Sequence, residues 1–126
     1  MLKRTVLAAI SATFVLAAPA LAEGDAAKGE KTFNVCKACH DVDKGVNKVG
    51  PTLKGVVGRP AATVADYKYS EAMTAKGTEG LVWTEENLAT YLADPKTFVP
   101  KSKMAFAGLK KPDDVANVIA YLKAHP

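Results

Sequence analysis

Cysteine is scarce in this chain: two residues in 126 cannot build a disulfide-dense scaffold, so their spacing has to carry their meaning. Arginine is just as scarce. Arg4 lies near the N-terminus, Arg59 is the only other one, and the lysines are scattered rather than blocked. That pattern gives no support to nucleic-acid binding. No apolar run is long enough for a comfortable membrane span. A charged fraction of 24% with mean hydropathy near zero excludes both a multi-span membrane protein and a disordered tail. The length suits one domain and is too short for two independent cores.

Met1 to Ala22 reads as a secretory signal. Lys3 and Arg4 give the positive start, Val6 to Ala18 the short apolar run, and Ala20-Leu21-Ala22 the small-x-small pattern that a signal peptidase cuts. Cleavage after Ala22 would leave residues 23–126 as one domain and lower the formal net charge from +4 to +2. Export would also place both cysteines in an oxidising compartment, where a plain thiol pair does not persist.

Four segments have helical character. The first spans Asp25 to about Val35, with Ala26, Gly29 and Phe33 on one face. A short one runs from Ser70 to Lys76 and stops at Gly77. Thr84 starts a stronger one, with Glu85 and Glu86 at its positive end and Pro95 ending it. The last opens at Pro112 and carries the stripe Val115, Val118, Ile119, Leu122. Asp41–Ala65 and Lys96–Lys110 are Gly- and Pro-punctuated, and no segment alternates well enough for a sheet strand. The expectation is an all-α domain with long loops wrapped around an internal template.

Cys36-Lys37-Ala38-Cys39-His40 names the template, because C-x-x-C-H is the attachment signature of a c-type haem. Two thiols three positions apart on a turn can add to the vinyl groups of neighbouring pyrrole rings. The next residue, a histidine, is then carried under the iron. A thioredoxin-like pair would want a βαβ context, which is absent. A zinc site would need a fourth ligand, and the only other histidine is His125. A structural disulfide would leave His40 unexplained. Met73, Met104, His125 and several lysines are all candidates for a second axial ligand. Met73 sits on the short helix, where methionine commonly fills a core. Met104 lies in the aperiodic loop Pro100–Gly108, whose shape ligation would set, although packing would account for it as well.

In Gly29-x-x-x-Phe33, Cys36–His40, Val49-Gly50-Pro51-Thr52-Leu53, Val57-Gly58-Arg59, Tyr67-Lys68-Tyr69-Ser70, Leu81-Val82-Trp83-Thr84, Tyr91–Pro95, Ser102-Lys103-Met104-Ala105-Phe106 and Val118–Leu122 the chain resembles the class I cytochromes c. Among these it is similar to the short bacterial cytochromes c2 and isocytochromes c2, which also resemble mitochondrial cytochrome c. The resemblance spans Gly29 to Leu122. It implies the small cytochrome c fold, with first and last helices crossing at Gly29, Phe33, Val118 and Tyr121. It implies one covalent haem c on Cys36 and Cys39, with His40 and Met104 as axial ligands. His/Met ligation closes the iron and raises its reduction potential.

By the same resemblance the Pro51 carbonyl accepts from the unligated nitrogen of His40. Arg59, Tyr69 and Trp83 donate to a haem propionate, and Tyr91 and Ser102 steady the Met104 loop. Lys48, Lys96, Lys103, Lys110 and Lys111 match the family's docking lysines; Lys101 joins them on its sequence position. The chain departs from the pattern at Met73, where many relatives carry asparagine. Its methionine loop lacks the insertions of some cytochromes c2, and the turn before Gly50 is one residue shorter than in mitochondrial relatives.

The implied function is a soluble periplasmic one-electron carrier, monomeric and not an enzyme. It would meet membrane redox complexes by transient electrostatic docking: a cytochrome bc1 complex on one side, a photosynthetic reaction centre or cytochrome oxidase on the other. The competing classes are a haem peroxidase or gas-binding sensor with a labile sixth ligand, and a haem-free metal or disulfide domain. The position of C-x-x-C-H excludes cytochrome c′, where it lies near the end of a four-helix bundle.

Overall fold

Asp25 starts the first helix: its carboxylate accepts from the amides of Ala27 at 2.9 Å and Lys28 at 3.2 Å. These are donors that no helical carbonyl can reach. Helix α1 spans Ala26–Thr32 and tightens into a 3-10 turn over Phe33–Val35. The computed structural model describes residues 9–13 and 23–126. The cleavage pattern at Ala20–Ala22 and most of the run Val6–Ala18 lie outside those residues.

The other helices begin where the capping residues predict. Ser70 Oγ accepts from Met73 N at 3.1 Å and opens α2, Glu71–Thr78. Thr84 Oγ1 accepts from Asn87 N at 3.1 Å and opens α3, Glu85–Ala93. Two boundaries differ from expectation. Helix α2 continues through Gly77, and the chain turns instead at Gly80, with φ at +91°. Pro95 ends α3 but also begins a further turn, α4, Pro95–Phe98. The ring that cannot continue one helix suits the first position of the next. Asp94 caps it, accepting from Thr97 N at 3.4 Å and Thr97 Oγ1 at 2.7 Å. Helix α5 spans Pro112–Lys123, with Asp113 and Asp114 in its first turn.

Helices α1 and α5 cross at a point set by glycine. A β-carbon at Gly29 would stand 1.9 Å from the Asn117 carbonyl oxygen and 2.8 Å from Tyr121 Cβ. Only hydrogen at that position lets the two backbones meet. Phe33 packs on Tyr121 with ring centroids 5.2 Å apart, and Asp25 N donates to Asn117 Oδ1 at 2.8 Å. Val115, Val118, Ile119 and Leu122, the predicted stripe, are all buried. Helix α3 packs on α5 through this core.

The only β pairing among the described residues is a single antiparallel bridge, Pro60 to Val82. Gly58 N donates to Trp83 O at 2.7 Å and Trp83 N to Arg59 O at 2.9 Å, seating Arg59 beside Trp83. The fold is all-α among the described residues, with the first and last helices crossing as expected. In the methionine loop Lys101 adopts φ +63°, a left-handed conformation that disfavours residues with a β-carbon. Lys101→Gly is expected to raise stability by about 0.5–1 kcal/mol, read as a higher urea midpoint. An unchanged or lower midpoint would mean that this turn stores no strain.

Candidate haem site

The cysteine motif is wound directly onto the end of the first helix. Phe33 O accepts from Cys36 N at 2.8 Å, and Cys36 O accepts from Cys39 N at 3.1 Å and His40 N at 2.9 Å. Both thiols therefore lie on one turn, not bonded to each other; Cys36 is half-buried and Cys39 exposed. Burial, and then the neighbouring Cys39, push the Cys36 thiol up, so it stays protonated. Among the described residues no group of three metal-ligating side chains forms. His125 faces Asp43, Nε2 to Oδ1 at 3.1 Å, instead of joining the cysteines.

His40 Nδ1 lies 2.8 Å from the Pro51 carbonyl oxygen. A carbonyl only accepts, so Nδ1 carries the proton and Nε2 keeps its lone pair. Burial holds His40 below the ordinary imidazole value, as do the charges of Lys48 and Arg59, against the opposing Pro51 bond. The neutral ring is the ligating form. Gly50 is moulded to it: a β-carbon there would stand 2.3 Å from His40 Cε1 and 2.7 Å from Nδ1. The loop that delivers Pro51 is organised by Asp41. Its carboxylate accepts from Lys44 N and Val46 N, both at 3.1 Å, and from Thr52 Oγ1 at 3.2 Å.

A different loop brings the Met104 thioether. Tyr91 OH lies 3.7 Å from Met104 Sδ. Burial, and then nearby Tyr67, push the Tyr91 phenol up to about 12, so it remains a donor. Tyr91 is held in place by Trp83, at 4.8 Å between ring centroids, and by Phe98 at 5.9 Å. Ser102 is half-buried two residues before Met104, and it bonds through its backbone, N to Val99 O at 3.3 Å. Met73 is half-buried against the core. Arg59 Nη1 donates to Thr52 O at 3.0 Å and Lys54 O at 3.2 Å, and Tyr69 OH accepts from Val64 N at 3.1 Å.

These residues fit a covalently attached haem. They offer two free thiols on one turn, an imidazole with only Nε2 open, a glycine that leaves room for that ring, and a thioether on another loop steadied by Tyr91 of α3. Burial of Trp83 and Tyr91 encloses the methionine side.

The lysines are held by different neighbours. Lys103 Nζ donates to the Lys68 carbonyl and sits 5.3 Å from the Tyr67 ring centroid. Tyr67 OH in turn donates to Val49 O at 3.1 Å, next to Lys48, whose Nζ donates to Lys37 O at 2.6 Å. The Thr97 hydroxyl holds the Asp94 carboxyl below the usual carboxylate value, and the charges of Lys110 and Lys96 add to it. Lys110 Nζ donates to Ala107 O at 2.9 Å, Lys111 precedes α5, and Lys101 is exposed.

Sequence reasoning missed Asp41, Asn47 and Tyr67 as organisers of the site. Asn47 bonds Thr52 N through Oδ1 and Ala65 O through Nδ2, both at 3.0 Å. An aspartate directly after the histidine, with Asp43-Lys44-Gly45 close behind it, was the available signal for a side-chain-organised turn.

The fold and this site define a small c-type haem protein. Residues 26–126 match the family model described as Cytochrome c. The chain is 52% identical over 101 residues to cytochrome c2 of Agrobacterium tumefaciens, covering 79% of this chain and 91% of that protein. It is 55% identical over 113 residues to cytochrome c2 of Rhodospirillum rubrum, covering 82% and 83%. Among solved structures it is similar to cytochrome cH from Methylobacterium extorquens, with TM-score 0.73 and 50% identity over 80% of this chain and 99% of that one. The chain belongs to the cytochrome c family, in its class I, cytochrome c2 branch. It is an electron-transfer protein rather than an enzyme, and it carries one covalently attached haem c.

Proposed function

We propose that this chain is a periplasmic one-electron carrier running between a cytochrome bc1 complex and a photosynthetic reaction centre or terminal oxidase. In this reading residues 1–22 are the cleaved signal, and 23–126 work as a monomeric domain. Cys36 and Cys39 hold the haem, and His40 and Met104 take the axial positions. The haem supplies reversible one-electron exchange at its iron.

The observation that carries the reading is the Met104 thioether held 3.7 Å from the Tyr91 hydroxyl, in a loop with no helical bonding of its own. A second strong ligand leaves no place for a substrate or gas. The remaining residues serve the same end. Pro51 fixes the His40 tautomer, Arg59, Tyr69 and Trp83 donate to a propionate, and Tyr91 and Ser102 steady the Met104 loop. The test is the absorption spectrum of the reduced, haem-loaded protein before and after carbon monoxide. An unchanged low-spin spectrum is expected. A prompt shift would replace the carrier with a catalytic or sensing haem protein.

Docking is assigned to Lys48, Lys96, Lys101, Lys103, Lys110 and Lys111, all exposed. Rapid turnover requires weak, fast encounters, and charge steering supplies them. Lys103→Glu is expected to lower the association rate with an acidic redox partner by about tenfold at low ionic strength, with the difference shrinking at high salt. Equal rates at low salt would remove Lys103 from the docking surface.

A further inference from the structure

The carrier reading leaves His125 without a role, yet few side chains in the molecule are as fully engaged. Its Nδ1 lies 2.8 Å from the Tyr121 carbonyl oxygen, and its Nε2 lies 3.1 Å from Asp43 Oδ1. Its ring meets Tyr121 edge-on with centroids 4.5 Å apart. Its own carbonyl accepts from Gly55 N at 2.8 Å, and its amide donates to Leu122 O at 3.0 Å. A helix-terminal cap would need only the Tyr121 contact. Two of the others, from its ring to Asp43 and from its backbone carbonyl to Gly55, reach outside the helix, and both land on one loop.

That loop begins just after His40. Asp43 stands near its start and Gly55 near its end, and Pro51 lies between them. Inside it, Asp41 binds Lys44 and Val46 amides and the Thr52 hydroxyl, while Leu53 N donates to Asp41 O at 2.7 Å. A segment bonded this way moves as a unit, so gripping Asp43 and Gly55 restrains Pro51. Pro51 is the residue whose carbonyl accepts from His40.

We infer that His125 is a positioning residue for His40: anchored to α5 through Tyr121, it holds both ends of the loop that carries Pro51. The relay runs from α5 through His125 to Asp43 and Gly55, then through the loop to Pro51 and the imidazole. The inference deepens the proposed function, since it rests on His40 as the iron's ligand.

The test reads the His40–Pro51 contact itself, as solvent exchange of the His40 Nδ1 proton followed by NMR in the reduced holoprotein. His125→Ala and Asp43→Ala are expected to speed that exchange by about tenfold, with Val118 and Ile119 amides in α5 unchanged. His125→Gln, whose amide can still donate to Asp43, is expected to restore most of the protection. Exchange within about twofold of the parent in both loss-of-contact variants overturns the inference. So does acceleration shared evenly by the α5 amides, which marks general destabilisation. Asp43→Ala lies on the exposed side of the contact and keeps the question answerable if His125→Ala fails to fold. A carbon monoxide shift in the parent protein would fail the carrier reading alone, because the exchange comparison reports the Pro51 contact whatever the sixth ligand is.

Discussion

Reduced Met104→Ala protein is expected to bind carbon monoxide at once where the parent does not. Its midpoint potential is expected to fall by on the order of 0.1–0.3 V, part of the roughly 0.8 V range that axial ligands command. The thioether favours Fe(II), so removing it disfavours the reduced state. The loop around Met104 has little else to compensate: it lacks helical bonds and contains the left-handed Lys101. Tyr91, buried beneath it with its phenol pushed up to about 12, would keep its proton and lose its acceptor. Met104→Leu separates the contributions, since leucine fills a similar volume without sulfur. Equal opening in the leucine and alanine variants assigns the effect to ligation. A parent-like spectrum and potential in both would move the sixth ligand to Met73 or a lysine.

The largest stability effect is expected at the helix crossing. Gly29→Ala improves intrinsic helix propensity by about 1 kcal/mol. That gain is outweighed by a β-carbon aimed 1.9 Å from the Asn117 carbonyl oxygen. Backbone cannot rotate away as a side chain would, so α1 and α5 must separate and loosen Phe33 against Tyr121. A net loss of about 3 kcal/mol or more follows, which for a domain of this size lowers the thermal midpoint by on the order of 15 °C. Lys28→Ala, on the exposed face of the same helix, is the control. A Gly29→Ala loss below about 1 kcal/mol would mean that the crossing is slack.

The helices were legible because each begins with local chemistry: Asp25, Ser70 and Thr84 as caps and Pro112 as a first residue. Helix α4 was not, because Pro95 carries a stop signal and a start signal at once, and only the Asp94 cap decides between them. The cysteine motif was readable because its chemistry demands adjacent residues. The Met104–Tyr91 approach was reached through family resemblance, since spacing alone does not bring two separate segments together. The pairing of His125 with Asp43 carries no local signal at all. Neither residue sits in a periodic pattern, and the link exists only once α5 has docked on the loops. Long-range polar contacts of this kind are specified by the finished packing.

The crossing of α1 with α5 joins the two ends of the domain, with Asp25 bonded to Asn117 across 92 positions of sequence. A growing or threading chain therefore has no such contact until its last segment arrives. Contacts this distant carry the full loop-closure cost before any burial offsets it. Cys36 and Cys39, placed just after the first of the two helices, stay within reach of a modifying reaction throughout that interval. The architecture thus sets an order of assembly, in which the thiols can be used before the two end helices meet.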